Sequence, residues 1–216
     1  MRQITDPTGK RPLLLTVPGI DSSGAGHWQT LWEKELDDCA RVDLGMWDRP
    51  HRNTWVNKLN AAIAAAGRPV VLVAHSLGCH AVAWWNQLEQ TASGQVLGAL
   101  LVAPPNLVGL PKTSRLAAFA PLVRERLRFP AILAASQDDP YATVGHSRKM
   151  ARLWGCRFVD AGWLGHINAD SGIGAWPFGR HLLERLVFDV TWPTMPSISH
   201  RRRRLPQPWG FGAGLD

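Results

Sequence analysis

Six apolar runs recur along the chain, at 12–17, 39–46, 69–74, 96–103, 130–135 and 156–161, and they constrain the fold more than any other feature. Stretches such as PVVLVA and VLGALLVA lack the polar and apolar alternation of a strand with one wet face. Both faces of such strands must be covered by other structure. Helix candidates lie between the runs, at 27–36, 53–66, 78–89, 144–154 and 174–187. Strands alternating with helices predict an α/β domain with a doubly wound, mostly parallel sheet and helices on both faces. The connection 104–129 holds only 26 residues. That is room for a short lid at most, because a separate domain starts at roughly 50 residues.

At 216 residues and 45% hydrophobic content, the chain is long enough to bury the core of one full domain, placed at 1–191. The composition then changes to WPTMPSISHRRRRLPQPWGFGAGLD, with four prolines, a run of arginines and no periodicity. Residues 192–216 therefore read as a flexible Pro/Arg-rich basic tail. Of the formal net charge of +7, the tail carries +3, from Arg201, Arg202, Arg203 and Arg204 against Asp216, which leaves +4 for the rest. Four arginines supply only a few phosphate contacts, so no specific nucleic-acid partner is expected. The N-terminus offers Leu13, Leu14, Leu15 and Val17 before a Pro-Gly, short of a signal peptide or a membrane span. The three cysteines, Cys39, Cys79 and Cys156, form no C-x-x-C pair and read as reduced thiols. These features predict a cytoplasmic protein with no membrane partner. Phosphate-loop, dinucleotide and H-E-x-x-H zinc patterns are missing from the sequence, so neither a cofactor nor a metal is expected.

In open α/β sheets, chemistry collects outside the carboxyl ends of the strands. Three polar features fall there. Ser76, in A-H-S-L-G, follows the run at 69–74 and precedes a helix candidate, as in the nucleophile elbow G-x-S-x-G. A tight strand-to-helix turn needs small residues two before and two after the serine, and Ala74 and Gly78 meet that need. The turn would also aim the Leu77 N–H at a developing oxyanion. Serine equally often caps a helix, so the motif alone leaves capping and catalysis open. The second feature, SQDDPYAT, offers two acids, Asp138 and Asp139, one of which would serve an Asx-turn or helix cap. The third, GWLGHINADSG, places His166 after the last strand. The order serine, acid, histidine is that of the α/β-hydrolases. His75, at the variable position of the elbow, would point away from Ser76. In the first loop, VPGIDSSGAGHW, the backbone N–H of Ile20 or a neighbour would supply a second oxyanion donor.

VPGIDSSGAGHWQTLWE, VLVAHSLGCHA, LAASQDDPYAT and DAGWLGHINADSGIGAWPFG together resemble the small serine hydrolases of the retinoblastoma-binding protein 9 type, within the α/β-hydrolase superfamily. The resemblance spans about 12–190. It implies a compact α/β-hydrolase fold with Ser76 as nucleophile, His166 as base and Asp139 as the acid, since the family's acid is the aspartate directly before the proline. The expected activity is cofactor-free hydrolysis of a small-molecule ester or related acyl substrate. Two rivals remain: a binding protein with an unused triad, and an acyltransferase. Segment 104–129, with Trp47, Trp163 and Trp28, would line an apolar acyl pocket.

Overall fold

The computed structural model of the protein describes residues 11–89 and 92–192. The predicted basic tail beyond Trp192 lies outside these residues. Six strands, β1 (Leu13–Val17), β2 (Cys39–Arg41), β3 (Val70–His75), β4 (Val96–Val102), β5 (Ala131–Ala135) and β6 (Arg157–Asp160), form one sheet in the order β2-β1-β3-β4-β5-β6. Every neighbouring pair is parallel. Among the described residues five α-helices cover it: α1 (Trp28–Glu35), α2 (Arg52–Ala65), α3 (Leu77–Leu88), α4 (Val144–Trp154) and α5 (Pro177–Thr191). This is the compact α/β-hydrolase architecture expected from the continuous apolar runs.

Strand periodicity of two sorts each run between two cores. Val70, Leu72 and Ala74 of β3 pack with α2, α3 and α4, beside Trp55, Trp85 and Trp154. Val71 and Val73, with Leu100 and Val102 of β4, face α1 and α5, beside Trp28, Trp32 and Leu186. Both faces of the central strands are therefore dry, and the backbone hydrogen bonds of the sheet are shielded from water.

Strand order reverses at β1. The chain leaves β1 for the edge strand β2, then returns to β3 on the other side. The carboxyl ends of β1 and β3, paired through Val17 and Ala74, thus flank a topological switch point, where open sheets leave a crevice.

The run at 39–46 is a strand only over Cys39–Arg41. Among the described residues β2 pairs with β1 alone, and after the Val42 N–H bonds to Thr16 O at 3.0 Å β1 has turned away at Pro18. Leu44 still enters the core fully buried, but through a turn at Gly45 and Met46, where φ is +60° and +46°. The last helix begins at Pro177, later than expected, because Gly174 and Trp176 adopt positive φ and proline suits the first helical position. Between β4 and β5 the chain forms only the 3-10 turn Arg115–Phe119, so the connection is a strap with no helical lid. No helix among the described residues is long and apolar enough to cross a membrane.

Candidate active site

Ser76 stands at the end of β3 with φ 54° and ψ −127°. A side-chain-bearing residue in that region stores on the order of 1–3 kcal/mol of backbone strain. Close packing enforces it. A Cβ on Gly78 would run into Val17 O and lie 2.6 Å from Pro18 O, and one on Gly19 would lie 2.7 Å from Ser76 Cβ. The first loop and the serine turn are thus pressed together by two glycines, and Ser76 N–H is tied to Val102 O at 2.9 Å.

The hydroxyl does not cap α3. It lies 2.9 Å from His166 Nε2. On the other side of the imidazole, Nδ1 is 3.1 and 3.0 Å from the two carboxylate oxygens of Asp139. A carboxylate only accepts, so Nδ1 carries the proton and Nε2 presents its lone pair to the serine O–H. The side chains of His166 and Asp139 are 11% and 2% exposed, so this chain of hydrogen bonds is shielded yet reachable at its serine end.

The two adjacent aspartates divide the work. Asp139 also accepts the Tyr141 N–H at 2.9 Å, which fixes its carboxylate ahead of Pro140. Asp138 faces the other way, 2.6 Å from the Ser136 hydroxyl and 2.8 Å from the Gly165 N–H. These hydrogen bonds, Ser136 foremost, hold its carboxyl below the usual carboxylate range. Asp138 thereby ties the loop after β5 to the loop that carries His166.

His75 makes no hydrogen bond to Ser76 and supports the His166 loop instead. Its Nε2–H donates to His166 O at 2.9 Å, and its ring centroid is 4.9 Å from that of His166. Burial, with His27 and His166 adding, holds His75 well below the ordinary imidazole range, so it stays a neutral donor. His27 continues the file, 4.7 Å from His75. It caps α1 by accepting the Gln29 N–H at Nδ1, and burial, then Arg41 and His166, lowers it to about 4. Both rings wall a cavity of about 510 Å³ shared with Ser76, Ile20, Tyr141 and His166.

Neither the Leu77 N–H nor the Ile20 N–H has an acceptor among the described residues, and the ideal Cβ position of Gly19 is 3.2 Å from Leu77 N. The Leu77 N–H therefore flanks the serine turn, and Ile20 lines the same cavity as Ser76. Asp21 and Ser22 hold the loop beyond Ile20 with φ of 61° each.

The expected tryptophan pocket is not formed. Trp28 lies fully buried beneath the site and donates to Ile167 O at 2.9 Å, so it straps the His166 loop to α1. Trp47 packs on Trp55 with ring centroids 5.7 Å apart, and Trp163 is 72% exposed. The aromatic wall is Tyr141, 4.5 Å from the His166 ring, while segment 104–129 contributes Pro105, Ser114, Arg115 and Leu116. Tyr141 and His27 were within reach of the sequence, one two residues after Asp139, the other in the first loop. Among the described residues no group of three or more His, Cys, Asp or Glu side chains could hold a metal ion.

A sequence profile described as serine hydrolase matches residues 14–185. A YdeN-like hydrolase from Pectobacterium atrosepticum superposes with a TM-score of 0.74 at 27% identity, covering 84% of this chain and 93% of that one. The ydeN gene product of B. subtilis gives 0.67 at 20% identity, covering 81% and 98%. Est1E from Butyrivibrio proteoclasticus gives 0.59 at 12%, covering 82% and 89%, a likeness of fold alone. Comparison with curated proteins returned no match. The profile spans the strand that ends just before Ser76, the loops bearing Asp139 and His166, and most of the last helix, so the chain belongs to the serine hydrolase family.

Proposed function

We propose that the protein is a cytoplasmic serine hydrolase of the retinoblastoma-binding protein 9 type, acting on small ester or related acyl substrates through Ser76, His166 and Asp139. One observation carries the reading: the strained Ser76 hydroxyl, unused as a cap, lies 2.9 Å from His166 Nε2 while Asp139 holds Nδ1 at 3.0 Å. Unpaired cysteines at 39, 79 and 156 suit a reducing compartment.

His166 Nε2 takes the Ser76 proton as Oγ attacks the substrate carbonyl, and Asp139 stabilises the imidazolium that forms. Leu77 and Ile20 N–H groups hold the oxyanion, a contribution of about 3 kcal/mol per donor in comparable sites. Collapse of the tetrahedral intermediate passes the proton from His166 to the leaving group. A water molecule, deprotonated by the same nitrogen, then releases the acyl group.

Labelling with a fluorophosphonate tests this. The natural chain should react, whereas Ser76→Ala should not and His166→Ala should react far more slowly. Equal labelling of the natural chain and Ser76→Ala overturns the nucleophile assignment, and a folded natural chain that fails to label supports a binding role.

A further inference from the structure

A second cavity, shallow and open to solvent and of about 740 Å³, adjoins the first. Both include Ser114 and Arg115 in their walls, so they meet where the strap between β4 and β5 enters its 3-10 turn. Their charges differ. Asp21 and Asp170 line the cavity that holds Ser76, whereas Arg49, Lys112 and Arg115 wall the second, together with His51 and no carboxylate. Arg115 stands at the border, with hydrogen bonds of 2.8 and 2.9 Å to the two oxygens of Asp21. That pair closes the acidic side and leaves the other cations facing the second cavity.

Among the described residues Arg49 and Lys112 are not neutralised there. The one carboxylate partner of Arg49 among the described residues, that of its neighbour Asp48, is 3.9 Å away, with the Asp48 and Arg49 side chains 78% and 87% exposed. An ion pair so long and so wet contributes little. Lys112 joins no ion pair among the described residues. Cations clustered around one recess set up a positive potential there and raise the local concentration of anions. Met46, Pro50, Ala117 and Ala118 supply apolar wall beside them, suited to the carbon skeleton that would carry the charge.

We propose that the second cavity is an anion subsite: it takes the remote, carboxylate- or phosphate-bearing end of an ester whose carbonyl is held at Ser76. The inference rests on Ser76 as nucleophile and adds a substrate class to it. An acyl ester negatively charged far from its scissile bond lies across both cavities. Its neutral reacting end lies on the side of Asp170, and its charged end meets Arg49 and Lys112.

The test compares esters that differ only in that charge, each rate being normalised to its own hydroxide-catalysed hydrolysis. One pair is 4-acetoxybenzoate and its methyl ester, with the charge on the alcohol side. The other is 4-nitrophenyl hydrogen suberate and its methyl ester, with the charge on the acyl side. In at least one pair the anionic member should show about fivefold higher kcat/KM at low salt. That advantage should shrink towards one in 0.5 M NaCl, where charges are screened over roughly 4 Å, and vanish in Arg49→Gln combined with Lys112→Gln. The pair that shows it assigns the subsite to the alcohol or the acyl end. Turnover of both pairs without charge preference overturns the subsite and leaves the hydrolase reading intact. Calorimetry on Ser76→Ala gives an independent readout. If the natural chain cleaves none of the esters, tighter binding of 4-acetoxybenzoate than of its methyl ester supports the subsite, and equal or absent binding overturns it.

Discussion

From Val70 to His75 every residue of β3 is buried and paired in the sheet, whereas one residue further on, Ser76 sits at φ 54° beside a cavity. The contrast repeats along the carboxyl edge. Asp21 and Ser22 beyond β1, Met46 beyond β2, Ala103 beyond β4 and Ile167 beyond β6 all have positive φ without being glycine. Sheet interior and carboxyl edge thus divide stability from the candidate site. The interior gains from apolar burial on two faces, and the rigidity it provides holds the edge in conformations the residues would not choose locally.

Opposite substitutions should separate these regions. Ser76→Ala is expected to lower kcat by about 10⁶-fold with little change in unfolding free energy. Leu72→Ala, fully buried in β3, should cost about 2–5 kcal/mol while the folded fraction keeps its kcat. Ester assays beside urea titrations check both, and a Ser76→Ala chain with near-natural turnover would end the division. Next in size, Asp139→Asn should lower kcat by about 10⁴-fold, and Asp138→Asn by far less, because Asp138 bonds Ser136 and Gly165 in place of His166. The reverse order in a p-nitrophenyl ester assay moves the acid to Asp138.

Gly78→Ala belongs to both regions. Its Cβ would strike Val17 O and come within 2.6 Å of Pro18 O, so we expect a loss of about 3 kcal/mol and a misplaced Ser76, read as a lower urea midpoint together with lower kcat. A folded variant of natural stability would mean the turn yields where the packing says it cannot.

Buried imidazoles make stability depend on pH. Burial lowers both His27 and His80 to about 4, with Arg41 and His166 assisting at His27, whereas an unfolded chain titrates near 6.5. Above that value both states are neutral and the stability is fully present. As the pH falls towards 4 the unfolded state takes up protons that the native state refuses, and each histidine removes about 1.4 kcal/mol per pH unit. Urea midpoints at pH 7 and pH 5 should show the decline, and His27→Asn should reduce its slope by one proton's share. A midpoint unchanged between the two pH values would contradict the burial of these rings. Smallest of all, Trp163→Ala should change stability by no more than about 0.5 kcal/mol and leave ester turnover as it was, since the ring is 72% exposed outside the Ser76 cavity. A large loss would restore it to the substrate pocket.

Strand interiors are legible in the sequence because a residue's face alternates along its own chain. The runs at 69–74, 96–103 and 130–135 correspond to β3, β4 and β5 within a residue or two, and the small residues around Ser76 announce its turn. Where an element depends on a distant neighbour, local pattern misleads. The run at 39–46 is as apolar as the others, yet it pairs only until β1 turns away, and its remainder reaches the core as a loop.

The site divides along the same line. The residue types after three strands, and their order, are properties of the sequence, and with them the expectation of Ser76, Asp139 and His166. Which aspartate meets the imidazole, which face Trp28 turns to the His166 loop, and that His75 and His27 line up behind His166 follow from contacts spanning up to 139 positions. Such contacts exist only once the sheet has set the strand order and brought the loops after β1, β3, β5 and β6 to one edge, because chain separation carries no information about distance until the packing is complete.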